Sequence, residues 1–189
     1  MQTTIAQDIS IRTSAGFAGY GTPFDGVYFS FDVGFPIIDG VEIAPTFTFA
    51  SNFENHKVKY YWNDINPKQY IINDNMYSGG KLSGLFELYL VLNPFKLFPK
   101  KQISKTDFGI GFGYGLSYYS HNYYNYSSPN GNHDFVGIMS ETGIRKSASV
   151  KLFYNYHFKK YFIGINLGAI DLIHGEGQSL LGLQFGARL

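Results

Sequence analysis

The chain of 189 residues has a formal net charge of +1, with 15% of its residues charged, 44% hydrophobic and 19% aromatic. Soluble domains carry nearer a quarter of charged residues, and nucleic-acid binders present a strongly basic surface, so this composition argues against both. There is no Cys, which excludes disulfides and thiolate metal sites and agrees with passage through an oxidising compartment. No run approaches the roughly 18 apolar residues of a membrane helix. No basic segment followed by an apolar core opens the chain, so it is read as a mature form without a signal peptide. The length suits one domain over 1–189, and 22 Gly, 16 Tyr and 18 Phe fit an all-β protein that faces lipid.

The first strand, residues 8 to 20, puts Ile9, Ile11, Thr13, Ala15 and Phe17 on one face and Ser10, Arg12, Ser14 and Gly16 on the other. After the turn at 21–26, Val27, Phe29, Phe31, Val33 and Phe35 oppose Tyr28, Ser30, Asp32 and Gly34. A turn at 36–40 leads to residues 41 to 50, where Val41, Ile43, Pro45, Phe47 and Phe49 oppose Glu42, Ala44, Thr46 and Thr48. Pro45 lacks the donor that a closed sheet needs, so a bulge or a locally broken ladder is expected there.

Residues 51 to 80 form a long polar loop with Tyr60, Tyr61 and Trp62. A fourth strand over 81 to 93 sets Phe86, Leu88, Leu90 and Leu92 against Leu85, Glu87, Tyr89 and Val91. A basic link, 94–105, carries Lys96, Lys100, Lys101 and Lys105 to the fifth strand. There Phe108, Ile110, Phe112, Tyr114, Leu116 and Tyr118 alternate with Asp107, four Gly and Ser117, an inner face suited to a crowded interior. Residues 119 to 142 form a second long, Tyr-rich excursion with Tyr123, Tyr124 and Tyr126, and the part from Phe135 to Met139 is a candidate for a strand above the membrane.

In the sixth strand, 143 to 158, Val150, Leu152, Tyr154, Tyr156 and Phe158 face out, with Arg145, Ser147, Ser149, Lys151, Asn155 and His157 inward. Lys159-Lys160 makes a tight turn into residues 161 to 170, where Ile163, Ile165, Leu167 and Ala169 oppose Gly164, Asn166 and Gly168. After a loop at 171–178 the chain closes on Leu181, Leu183, Phe185, Ala187 and Leu189 against Leu180, Gly182, Gln184, Gly186 and Arg188. Apolar residues repeating with period two mark a strand between two different solvents. Eight such strands, with short connections alternating with longer ones, predict a closed antiparallel up-and-down barrel with both termini at one end.

Three segments carry a resemblance: Tyr154-Asn155-Tyr156 with Lys159-Lys160, Ile173-His174-Gly175-Glu176-Gly177, and the run Leu181 to Leu189. The chain resembles the small eight-stranded bacterial outer-membrane β-barrels of the OmpA/OmpX type, in particular the Bacteroidota outer-membrane β-barrel, porin-family proteins. Those proteins usually end on an aromatic residue, where this chain has Leu189. The resemblance covers essentially the whole chain and implies a transmembrane β-barrel in a Gram-negative outer membrane, with periplasmic termini and outer-membrane lipid or lipopolysaccharide around it. It implies no activity and no cofactor. Other outer-membrane or surface proteins are the further partners expected, and nucleic acid is not.

Candidate sites divide between lumen and loops. The alternation puts Arg12, Arg145, Lys151 and Arg188 in the lumen with Asp32, Glu42, Glu87 and Asp107, four of each sign. Burial of charge in a narrow interior requires such balance. Distances from the turns predict a salt-bridge plug in the periplasmic half, centred on Arg12 and Arg188 with Asp32, Glu42 and Asp107. Glu87 and Lys151 fall higher, and Arg145 near the outer mouth.

The loop aromatics Tyr60, Tyr61, Trp62, Tyr123, Tyr124 and Tyr126 have two readings, a binding surface or an interfacial girdle. His56, His121, His133 and His174 fall in outer loops without metal-ligand spacing, so no metal is expected. Ser120-His121 is the one pair reminiscent of a lipid-modifying hydrolase, but neighbours on a strand point to opposite faces, and no catalytic residues are expected. The leading expectation is a non-enzymatic structural, adhesive or accessory barrel that binds a partner through its Tyr- and Asn-rich outer loops. A narrow solute pore, a lipid A-modifying enzyme and a soluble ligand carrier are the alternatives. Eight strands leave room only for side chains, and a carrier would turn apolar residues inward.

Overall fold

The computed structural model describes residues 9–19, 26–52, 78–97, 105–127, 134–174 and 177–189, with the side chains of 52, 78–81, 121–127, 134–141 and 174 outside the description. Eight strands run β1 Ser10–Gly19, β2 Gly26–Ile38, β3 Val41–Asn52, β4 Ser78–Leu92, β5 Thr106–Ser127, β6 Asp134–Phe158, β7 Tyr161–Ile170 and β8 Gln178–Arg188. Each pairs antiparallel with the next, and β8 returns to β1, closing the barrel. Closure leaves the wall no edge to aggregate through.

The stagger of the wall can be followed residue by residue. From His157 on β6 the ladder passes through Phe162, Gly186, Arg12, Asp32, Thr46, Glu87 and Gly115, and returns to β6 at Ser147. The path has climbed ten residues along β6 in one circuit, a shear that tilts the strands by roughly 35–45°. The lumen therefore stacks polar residues from different strands as a spiral. The two ends differ: the β2–β3, β4–β5 and β6–β7 connections and both terminal strand ends lie at one (the turn end), and β5 and β6 project from the other (the hairpin end).

Every strand shows the expected alternation. Phe17, Phe29, Phe47, Phe86, Leu88, Phe112, Leu116, Ile165 and Leu183 are exposed on the outer wall, while Ser14, Ser30, Asp32, Thr46, Thr48, Glu87, Ser117, Lys151 and Asn166 are buried. That arrangement inverts a soluble barrel and requires an apolar solvent outside. The inner face of β5 shows why it is nearly all Gly. A Cβ on Gly113 would lie 2.5 Å from Cε2 of Tyr89, one on Gly111 3.0 Å from Cδ1 of the same ring, and one on Gly109 would collide with the Phe153 ring. Two large lumen rings occupy the space that β5 side chains vacate. Tyr89 and Phe153 pack with Ala44 and Val91, and nearer the hairpin end Ala18, Tyr28, Ala50, Leu85, Ile170 and Leu180 form a second apolar cluster.

Pro45 breaks the ladder as expected. The β2–β3 pairing runs to Asp32↔Thr46 and resumes at Phe35↔Ile43, without the pairs that would join Val33 to Pro45 and Gly34 to Ala44. The missing N–H of proline explains the gap, while Pro45 still pairs with Leu88 on the β4 side. A separate shift falls between Pro36 and Ile38.

Two connections depart from expectation. Asn93 caps a one-turn helix α1, Pro94–Leu97, accepting from the amides of Phe95 at 3.2 Å and Lys96 at 3.3 Å. The excursion expected over 119–142 is built largely of strand: β5 continues to Ser127 and β6 begins at Asp134, paired through Asn125↔Gly137 to Tyr118↔Ile144. The residues of this part carry no apolar–polar alternation in sequence, yet the ladder persists.

Candidate functional site in the lumen

Cross-strand neighbours on the inner face set the polar interior. Arg12 and Asp32 oppose each other in the β1–β2 ladder, and Nε of Arg12 donates to Oδ1 of Asp32 in a buried ion pair. Nη1 of Arg12 donates to Oε2 of Glu42 at 3.0 Å, and Nζ of Lys151 lies 3.8 Å from the other Asp32 oxygen. The two cations also stack on the lumen rings, Arg12 5.8 Å from the centroid of Phe153 and Lys151 5.1 Å from that of Tyr89. Gly34 leaves the opening for this group, since a Cβ there would meet Ser10, Arg12 and Glu42.

A second group lies nearer the turn end. Asp107 Oδ2 faces Nε2 of His157 at 2.7 Å and accepts from Nη2 of Arg188 at 3.3 Å. The Arg188 side chain is 35% exposed, against 6% for Arg12. The predicted plug is thus two clusters, because the stagger sets Arg188 level with Asp107 and His157 and leaves Asp32 and Glu42 to Arg12. His157, read as inward but not as part of the network, belongs to the second cluster.

Glu87 and Arg145 sit higher, whereas Lys151, expected at the height of Glu87, reaches Asp32 and joins the Arg12 group through its long side chain. Glu87 is buried and accepts from the hydroxyls of Ser147 at 2.8 Å and Ser149 at 2.7 Å. Arg145 pairs with Asp171 and lies 4.3 Å from the centroid of the Tyr119 ring. Asp171 falls in a loop by sequence, yet it is fully buried, with φ 59. Asp tolerates the left-handed conformation better than most residues, and here it delivers a carboxylate to the lumen mouth. Alternation could not reveal it, because it follows the end of β7.

The charged groups leave little free volume. A void of about 10 Å³ touches Arg12, Asp32, Tyr89, Lys151 and Phe153, and one of about 20 Å³ touches Glu42, Asp107, His157 and Arg188. Each has room for roughly one water. Gln184 and Asn155, hydrogen-bonded at 3.1 Å, fill the same section.

The loop candidates divide. Tyr60, Tyr61, Trp62, His56 and His133 lie outside the described residues. Tyr123, Tyr124 and Tyr126 lie on the projecting part of β5, opposite Met139, Ile138 and Phe135. Ser120 and His121 also lie on β5, and His174 ends a 3₁₀ turn, Leu172–His174. Among the described residues, no three or more His, Asp or Glu side chains converge in a way that would hold a metal.

No protein-family model and no curated protein matches the chain. Solved structures do. The N-terminal β-barrel domain of Pseudomonas aeruginosa OprF superposes with a TM-score of 0.54 at 14% identity, over 97% of this chain and 98% of that one. Neisserial surface protein A gives 0.54 at 11% identity, over 96% of each chain. A major outer membrane protein from Thermus thermophilus gives 0.51 at 13% identity, over 97% of this chain and 100% of that one. At such identities the likeness is one of architecture, and this chain has the fold of the small eight-stranded outer-membrane β-barrels.

Proposed function

We propose that the protein is a non-enzymatic outer-membrane barrel whose interior is closed by side chains and whose hairpin end engages a partner. The turn end and termini then face the periplasm. The observation that carries this reading is the combination of an exposed apolar wall with a charged, filled lumen. An apolar exterior needs lipid, and two lumen voids among the described residues that each hold about one water, crossed by charged side chains, argue against a solute pore. Partner binding rests on β5 and β6, which at 22 and 25 residues far exceed the 10 of β7. They carry Tyr123, Tyr124 and Tyr126 beyond the apolar wall, on a ribbon that β4 still joins at Ser78↔Tyr123. Tyr-rich surfaces offer large contact area at low entropic cost, which fits an adhesive or accessory subunit. Lipid or lipopolysaccharide and other surface proteins are the partners this predicts. The segments around Tyr154, His174 and the closing strand favour a Bacteroidota source and a placement among OmpA/OmpX-type, porin-family barrels.

Affinity capture from native outer membranes tests the reading. The intact protein should retain a surface or outer-membrane partner that a variant lacking 121–140 does not, with both showing the heat-dependent gel shift of a folded barrel. Equal capture by the two folded proteins would contradict it.

A further inference from the structure

The turn end is electrically lopsided. On one arc of its rim, the β2–β3 turn presents Ile37, Ile38 and Asp39, all exposed. Beyond it Lys105, Lys159 and Lys160 are exposed, and Lys96 is half-buried on α1, which packs against the β2–β3 turn at Gly40. Backbone hydrogen bonds fix two of these lysines on the wall: the amide of His157, two residues before Lys159, donates to the Lys105 carbonyl at 2.7 Å, and that of Arg188 to the Lys160 carbonyl at 2.8 Å. The neighbouring acid, Asp107, points into the lumen and is engaged there by His157 and Arg188. Among the described residues, that leaves Asp39, at the α1 end, as the exposed side-chain carboxylate beside the four lysines.

Aromatic rings lie beside the same lysines. Phe95 packs on Phe108 with centroids 6.3 Å apart, and Phe158 on Tyr161 at 6.1 Å, with Nζ of Lys160 5.4 Å from the Tyr161 ring. Outward-facing rings at a barrel rim settle at the depth of lipid headgroups. Lysines one or two residues beyond them then place their ammonium groups at the phosphates. Turn chemistry does not account for the lysines. Lys159 has φ 58 in a two-residue hairpin, a position that favours Asn or Gly. The chain keeps a cation there against the backbone preference.

We propose that this arc, α1 with the β6–β7 turn, is a docking surface for the headgroups of anionic phospholipids in the leaflet at the turn end. The proposal rests on the membrane-barrel reading above and adds a lipid class and a place on the wall. Attraction of each lysine to an anionic surface is electrostatic and short-ranged, so the effect is local to the arc and sensitive to salt.

The test is lipid selectivity measured with spin-labelled lipids in liposomes of phosphatidylcholine containing the refolded protein. The wild type should enrich spin-labelled phosphatidylglycerol over phosphatidylcholine in its motionally restricted shell by roughly three- to tenfold. Salt at about 0.5 M, where the screening length is a few ångströms, should remove the preference. The quadruple variant Lys96→Gln, Lys105→Gln, Lys159→Gln, Lys160→Gln should bring the ratio close to one, and the matching Arg variant should keep it. Lys146→Gln, on the hairpin side of the wall, should leave it unchanged. A wild-type ratio near one overturns the proposal, as does a preference that survives the Gln variant or is lost with Lys146→Gln. Absence of restricted lipid of either kind overturns the membrane reading itself.

Discussion

Arg12 and Asp32 stand directly opposite one another across the β1–β2 ladder, and their side chains form a buried ion pair inside the barrel. The pairing follows from register: residues facing each other on one side of a sheet are the neighbours whose side chains meet. Glu42 completes the arrangement from β3 and Lys151 approaches from β6, so four strands are tied together near the level of Tyr89 and Phe153.

Removing Arg12 leaves two carboxylates short of their cation in a section with little water. Arg12→Met should destabilise by about 3–5 kcal/mol, the cost of breaking a buried pair from one side. Arg12→Met with Asp32→Asn should recover part of that. Arg188→Met should cost no more than about 1 kcal/mol, since its partly exposed pair is screened and Asp107 keeps His157. Urea midpoints in detergent micelles report all three. An Arg12→Met midpoint equal to wild type would show that this group is not buried in the folded barrel.

The outer wall should reject charge. Phe112 and Leu183 are each about half exposed, at 52% and 51%, on the outer faces of β5 and β8. Either one changed to Arg should lose about 2–4 kcal/mol of stability in liposomes. Wild-type stability of both variants would place those faces away from lipid.

How much of this was legible in the sequence depends on solvent contrast. Where a strand separates lipid from lumen, residue type follows parity, so Phe29/Ser30 or Leu88/Glu87 disclose the faces of every strand and the eight charged lumen residues. The upper parts of β5 and β6 lie outside that contrast, and Tyr123 and Met139 sit in a ladder that no alternation announces. Pairing among the charges was less visible still. It depends on the ten-residue climb from His157 to Ser147, which separates Arg188 from Asp32 and no single strand encodes. Asp171 escaped because a residue just beyond a strand has no parity to follow.

Glycine on β5 should be a packing requirement. Gly113→Val pushes into the Tyr89 ring, whereas a Cβ on Gly84 meets nothing within 4 Å. Overpacking typically costs about 1–3 kcal/mol, so Gly113→Val should fold less stably than Gly84→Val by that amount. Tyr89→Ala should relieve Gly113→Val, giving a double variant more stable than the two single costs added together. Simple additivity in thermal unfolding would mean that the ring and the strand do not touch.

Trimming the ribbon should spare the barrel. Below Tyr118 and Ile144 the wall is closed by pairs that do not involve residues 121–140, which reach β4 only at Lys81↔His121 and Ser78↔Tyr123, so a short Gly-Ser link replacing them should leave the unfolding free energy from urea titration within about 0.5 kcal/mol of wild type, as for changes outside the packed core. A large loss of stability would show that the ribbon packs onto the barrel mouth.

The absence of Cys makes the central claim directly measurable by single-cysteine spin labels along β4 in liposomes. Labels at Phe86, Leu88 and Leu90 should show high accessibility to oxygen dissolved in the bilayer. Labels at Leu85, Glu87 and Tyr89, which are buried, should show low accessibility, so that the profile alternates with period two. A flat profile, or maxima at Leu85, Glu87 and Tyr89, would contradict a lipid-facing wall around a closed polar lumen.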